Sequence, residues 1–113
     1  MPDPEIIKTD VCIIGAGLAG LAATLFAANR GLSCVEVGQT GEINFASGFL
    51  DLLGVHPAGE KHVWTDPWAG MEALVQDIPE HPYARLPKED IQTAIEEVLI
   101  FLRESGLPYH RRM

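Results

Sequence analysis

The sequence predicts an α/β fold, a parallel sheet with helices lying against it, and three observations carry that reading. A short apolar run, "DVCIIG", is rich in β-branched residues; a glycine-rich turn, "GAGLAG", follows at once; and a helical pattern then leads into a second strand-like run, "LSCVEV". Strand, turn, helix and strand in that order make a βαβ unit, and the right-handed crossover rule sets the second strand parallel to the first.

The first strand falls within residues 6–14 and is apolar in succession rather than alternation, so it is expected to be buried on both faces. It stops at Gly15. The first helix, residues 17–29, carries Leu18, Leu21, Ala22, Leu25 and Phe26 at helical spacing, and Gly31 suits the left-handed position that ends a helix. The second strand covers residues 32–37, which completes a strand-turn-helix-strand segment over 6–38. Residues 39–65 are Gly-rich and show no sustained period, which predicts a long functional loop. A helical segment follows over 66–106. Asp66 is a helix N-cap with Pro67 at the first helical position, Trp68, Met71, Leu74 and Val75 share one face, and the helix stops near Ile78 and Pro79. "EHPYARLP" reads as a turn or extended connector, because residues before Pro82 and Pro87 are biased away from helical geometry. The last helix, residues 88–105, has an apolar stripe of Ile91, Ala94, Ile95, Val98, Leu99 and Leu102, with Glu89 and Asp90 at its positive end and Gly106 as its stop.

Together these elements predict a Rossmann-like FAD/NAD(P)-binding fold with a three-layer parallel sheet, incomplete in this chain. Two strands leave both sheet edges without neighbours, and the sequence stops where a further strand is due. The 113 residues are therefore expected to form the N-terminal part of one flavin- or dinucleotide-binding domain of a longer protein.

A formal charge of −8, with Arg111 and Arg112 as the only basic cluster, argues against nucleic acid, whose backbone demands clustered cations. No apolar run reaches membrane-spanning length and the start "MPDPEIIKTD" lacks a signal-peptide pattern, so a cytoplasmic protein is expected. Cys12 and Cys34 lie in strands without metal-ligand spacing and are expected as buried, reduced thiols. His56, His62, His81 and His110 are scattered beside prolines or charges and are expected to be surface or structural, with His81 the most open to a role. Trp64 and Trp68 read as core or interface anchors.

The glycine turn carries the chemistry. Gly15 makes the tight turn, Gly17 lets the backbone approach a phosphate and is expected to hold an angle costly for other residues, and Gly20 lets helix and strand pack closely. Ala16, Ala19, Ala22 and Ala23 are expected to keep that interface small. Free N–H groups at the positive helix end would then bind an anion, which assigns the phosphate to Gly15, Ala16, Gly17, Leu18, Ala19 and Gly20.

"GAGLAGLAA" followed by "RGLSC" resembles the flavin-type oxidoreductases. "FASGFLDLLGVHP" at residues 45–57, with the later "DPWAGMEAL" and "EHPY", is similar to the B subunit of anaerobic glycerol-3-phosphate dehydrogenase, in motif order and spacing. That resemblance implies a flavin redox subunit, carrying FMN, that works with an FAD-containing dehydrogenase subunit and an iron-sulfur, membrane-anchoring subunit. Such a complex oxidises glycerol 3-phosphate and passes electrons to the quinone pool, and the flavin redox subunit would be cytoplasmic, peripheral to the membrane through its partners. The resemblance also implies that Ser47 and Gly48 approach the flavin, whereas turn chemistry alone makes such a pair an ordinary loop. It names no catalytic acid or base, and the isolated chain is expected to be inactive.

In flavin enzymes that bind adenosine, an acidic side chain ending the second strand takes the ribose hydroxyls. Alignment with that pattern puts Gly38 there, with Glu36 set back inside the strand. The economical reading is that the ribose acid is absent, which agrees with FMN, FAD being the alternative with Gln39 or a backbone group on the ribose. On this reading Gly38→Glu should strengthen binding of FAD and leave FMN nearly unchanged. Two other readings stay open: a non-catalytic nucleotide-binding fragment, and an unrelated FAD-dependent oxidoreductase.

Overall fold

The computed structural model describes residues 1–39, 48 and 50–110. Ser47, most of the 39–48 stretch, Phe49 and the Arg111–Arg112 cluster lie outside the described residues. The chain forms two compact units, Met1–Gly48 and Phe49–Met113.

In the first unit, β1 (Val11–Ile14) and β2 (Cys34–Val37) pair in parallel, with Val11 opposite Cys34 and Ile14 opposite Val37. The helix α1 (Leu18–Asn29) connects them. β1 spans the apolar residues of "DVCIIG", and a clasp marks its start. Asp10 N–H donates to the Ser33 carbonyl (3.1 Å) and to Ser33 Oγ (3.0 Å), while Ser33 N–H and Oγ–H both donate to Asp10 Oδ2 at 2.9 Å. At the other end of the helix Arg30 Nη1 donates to the Phe26 carbonyl at 2.8 Å, and Gly31 takes φ 74°, the left-handed stop expected there.

Two expectations about packing fail here. β1 is not buried on both faces: Val11 and Ile13 are half-buried while Cys12 and Ile14 are exposed, Ile14 by 88%. Alternation and register put Cys12, Ile14, Val35 and Val37 on one sheet face and Val11, Ile13, Cys34 and Glu36 on the other. Helix α1 covers the second face, since Thr24 bonds Glu36 there. Cys12 is thus an exposed thiol rather than a buried one, and Cys34 is half-buried; both are free.

The helix also meets the sheet through a different row of residues. Of the residues at helical spacing, Leu18 and Leu21 are exposed while Ala22, Leu25 and Phe26 are half-buried; Gly20, Thr24 and Ala27, which share a face at i, i+4 and i+7, are half-buried or buried, and Ala19 and Ala23 are exposed. Close approach of the helix to the turn requires a small residue at Gly20, where a Cβ would overlap the Gly15 carbonyl oxygen.

In the second unit, α2 (Pro67–Asp77) begins as expected, with Asp66 Oδ1 accepting from Trp68 N–H at 3.0 Å and Pro67 at the first position. Met71 and Leu74 are buried. The connector after it, expected as a turn or extended segment, is the turn, a 3-10 helix over Pro82–Arg85, and His81 Nδ1 caps it by accepting from Tyr83 N–H at 3.1 Å. The helix α3 (Lys88–Glu104) buries Leu99 and half-buries the rest of its expected stripe, and Gly106 closes it at φ 84°.

Candidate functional site: the glycine turn

The chain leaves β1 at Gly15, whose N–H donates to the Val37 carbonyl at 2.7 Å and so fastens the turn to β2. Gly15 holds φ 128°, a conformation that L side chains rarely adopt, and a Cβ there would meet nothing within 4 Å. The strained glycine is Gly15, not Gly17: Gly17 sits at φ −81° and ψ −172°, extended backbone open to any residue. Gly17 is the N-cap of α1, and its carbonyl accepts the first helical bond, from Leu21 N–H at 3.0 Å. The N–H groups of Leu18, Ala19 and Gly20 therefore have no acceptor within the helix. No acidic residue occupies this first turn, so the positive end of the helix faces outward uncompensated.

Two further glycines close around the turn. A Cβ on Gly20 would overlap the Gly15 carbonyl oxygen, so this glycine permits the helix to rest on the turn, as its spacing predicts. A Cβ on Gly38 would lie 2.7 Å from Ala16 N, 2.8 Å from Ala16 Cβ and 3.1 Å from the Gly15 carbonyl carbon. Residue 38 is glycine because the end of β2 packs against the turn. That corrects the reading from the ribose acid, in which its lack of a carboxylate points to FMN: the packing accounts for Gly38 whatever the cofactor.

Glu36 is indeed set back, and it is engaged. Its Oε2 accepts from Thr24 Oγ1 at 2.7 Å, and the same hydroxyl lies 2.9 Å from the Gly20 carbonyl. No sequence signal marks Thr24. Of the loop residues tied to the flavin by resemblance, Gly48 takes φ 80° and is exposed, the geometry of a turn, while Ser47 falls outside the described residues.

The second unit explains other motif residues by structure alone. Tyr83 of "EHPY" donates its hydroxyl proton to the Leu52 carbonyl of "LDLL" at 2.6 Å, so these two motifs meet. His56 is buried, its Nε2 2.8 Å from Asp77 Oδ2, and its carbonyl accepts from Trp64 Nε1 at 2.6 Å. Gly70 gives Trp64 and Leu53 room, since a Cβ there would lie 2.8 Å from each. Trp68, Tyr83 and Lys88 line a shallow groove, Lys88 Nζ lying 5.0 Å from the Trp68 ring centroid. Among the described residues no cluster of His, Cys, Asp and Glu could hold a metal ion, and no helix is long and apolar enough to cross a membrane.

A parallel strand pair whose glycine turn opens a helix with N–H groups lacking helical acceptors defines a Rossmann-like nucleotide-binding unit. The chain belongs to the FAD binding domain family, which matches it over residues 10–113. It is 32% identical to the B subunit of anaerobic glycerol-3-phosphate dehydrogenase from Vibrio vulnificus (strain YJ016), over 93% of this chain and 24% of that one. The corresponding protein of Haemophilus ducreyi is 38% identical over 87% of this chain and 23% of its own, and that of Yersinia pestis bv. Antiqua (strain Antiqua) 38% over 89% and 24%. The chain thus spans about 24% of the length of such curated relatives, and the resemblance read from the motifs holds. No solved structure gives a significant match. The family gives the cofactor class as a flavin; FMN, which the resemblance implies, finds no support in it.

Proposed function

We propose that this chain supplies the phosphate-gripping part of an FAD-dependent redox subunit that serves the oxidation of glycerol 3-phosphate. The observation that carries the proposal is the turn itself: Leu18, Ala19 and Gly20 present N–H groups without helical acceptors beside a glycine whose Cβ position is open. Those donors would hold a phosphate of the cofactor, aided by the helix dipole, and Gly20 and Gly38 keep the turn rigid by packing on both its sides. A flavin held there supplies a two-electron acceptor that can hand electrons on singly. FAD is the choice because the matching family is an FAD-binding one and Gly38 no longer argues for FMN.

The relatives' name, that of one lettered subunit of a dehydrogenase, supports an assembly with partner subunits. We propose that within it this protein receives electrons from an FAD-containing dehydrogenase subunit and passes them through an iron-sulfur partner to quinone. On that reading it is cytoplasmic and reaches the membrane through its partners. The 113 residues by themselves are expected to show no dehydrogenase activity, since they span only about 24% of a relative's length. Purification of the full-length protein tests the proposal. It should be yellow and release FAD, identified by mass, on denaturation; release of FMN alone, or a colourless protein that FAD does not saturate, would refute it.

A further inference from the structure

A polar link crosses the α1–β2 interface where an apolar contact would cost less desolvation. Glu36 is half-buried on the sheet face that α1 covers, and its Oε2 lies 2.7 Å from Thr24 Oγ1. The Thr24 hydroxyl has one proton and two acceptors, this carboxylate and the Gly20 carbonyl at 2.9 Å; the bond to the carboxylate is the shorter and, with Glu36 ionised, charge-assisted. Gly20 rests on the Gly15 carbonyl, and Gly15 N–H is bonded to the Val37 carbonyl at 2.7 Å, next along the strand from Glu36. Gly15, Val37, Glu36, Thr24 and Gly20 therefore form a closed ring of bonds and contacts around the root of the helix.

We infer that Thr24 and Glu36 are positioning residues for cofactor phosphate: their link holds the first turn of α1, and with it the N–H groups of Leu18, Ala19 and Gly20, at the tilt the phosphate requires. The inference rests on the proposal that the glycine turn binds that phosphate. Glu36 serves this role from inside the interface, through the bond that its Oε2 accepts from Thr24.

The test uses the full-length protein, with flavin affinities from fluorescence titration and folding checked by circular dichroism. Thr24→Val removes the hydroxyl at nearly constant shape, Glu36→Val removes the carboxylate, and Glu36→Gln keeps an acceptor. The two valine variants should each weaken FAD about tenfold, and the double variant no further, because either change breaks the same link. Glu36→Gln should stay within about twofold of the parent, since its amide oxygen accepts the Thr24 proton. Riboflavin, which has no phosphate, should bind all variants alike, a distinction that general loosening of the fold would erase. If Glu36→Val fails to fold, Thr24→Val carries the comparison. Unchanged FAD affinity in Thr24→Val, or equal losses for FAD and riboflavin, overturns the inference. Gly17→Val serves as the control: if it leaves FAD affinity intact, the phosphate reading falls and this inference with it, whereas a loss there without one in Thr24→Val overturns the inference alone.

Discussion

Introducing a carboxylate at position 38 separates two accounts of Gly38. If the residue is a missing ribose ligand, Gly38→Glu should tighten FAD binding and leave FMN alone. The structure predicts the reverse. Any side chain begins with a Cβ 2.7 Å from Ala16 N and 2.8 Å from Ala16 Cβ, and neither obstacle is the free end of a flexible chain. The clash can be relieved only by moving the end of β2 away from the turn, which stretches the 2.7 Å bond from Gly15 N–H to the Val37 carbonyl. Overpacking of this kind costs about 1–3 kcal/mol. Gly38→Ala, which adds the Cβ and nothing else, should therefore lose about that much stability in a denaturant titration and weaken FAD and FMN together, by roughly tenfold or more where the turn shifts. Gly38→Glu should do no better than Gly38→Ala. Tighter FAD with unchanged FMN in the Glu variant would refute the packing argument and restore the ribose reading.

Two other outcomes follow from single contacts. Asp10 accepts from the backbone N–H and then the hydroxyl of Ser33, which favour its ionised form and hold its carboxyl below the usual value. A carboxyl depressed in the folded state contributes stability above its unfolded pKa and loses it as pH falls through the folded one, so the stability gap between parent and Asp10→Asn should be full near neutrality and close on acidification; a gap of constant size from neutral to acid pH would contradict this. Tyr83→Phe strands the Leu52 carbonyl and should cost about 1 kcal/mol, read as a lower denaturation midpoint, with no change in FAD affinity.

What is legible in the sequence is what repeats locally. The helix period, the stop at Gly31, the Asp66–Pro67 start and the stripe of α3 depend on neighbours within a turn or two, and the structure reproduces them. The glycine turn between strand and helix is readable because strand, glycines and helix occur in fixed order. Contacts across the fold are not. Thr24 and Glu36 are separated by 12 positions, and nothing in either neighbourhood reveals the bond between them. Gly38 reads as a missing ribose acid by alignment alone, because alignment says nothing of the Ala16 backbone beside it. Apolarity alone points to burial of β1 on both faces, yet α1 covers one face, and Cys12 and Ile14 on the other are exposed. Helical spacing does not tell which residues of α1 are covered: Leu18 and Leu21 are exposed, whereas Gly20, Thr24, Leu25 and Phe26 are half-buried and Ala27 is buried.

The central claim is that the turn from Gly15 to Gly20 grips the cofactor by its phosphate, and Gly17→Val addresses it most directly. Gly17 has φ −81° and ψ −172°, so a side chain there is compatible with the backbone and the helix should persist by circular dichroism. Its Cβ branch would intrude on the approach of a phosphate to the N–H groups of Leu18, Ala19 and Gly20. Hydrogen bonds to a charged group are worth roughly 1.5–3 kcal/mol, so FAD should bind about tenfold to hundredfold more weakly, while riboflavin, which lacks the phosphate, keeps its affinity. A folded Gly17→Val protein that binds FAD as tightly as the parent would contradict the claim.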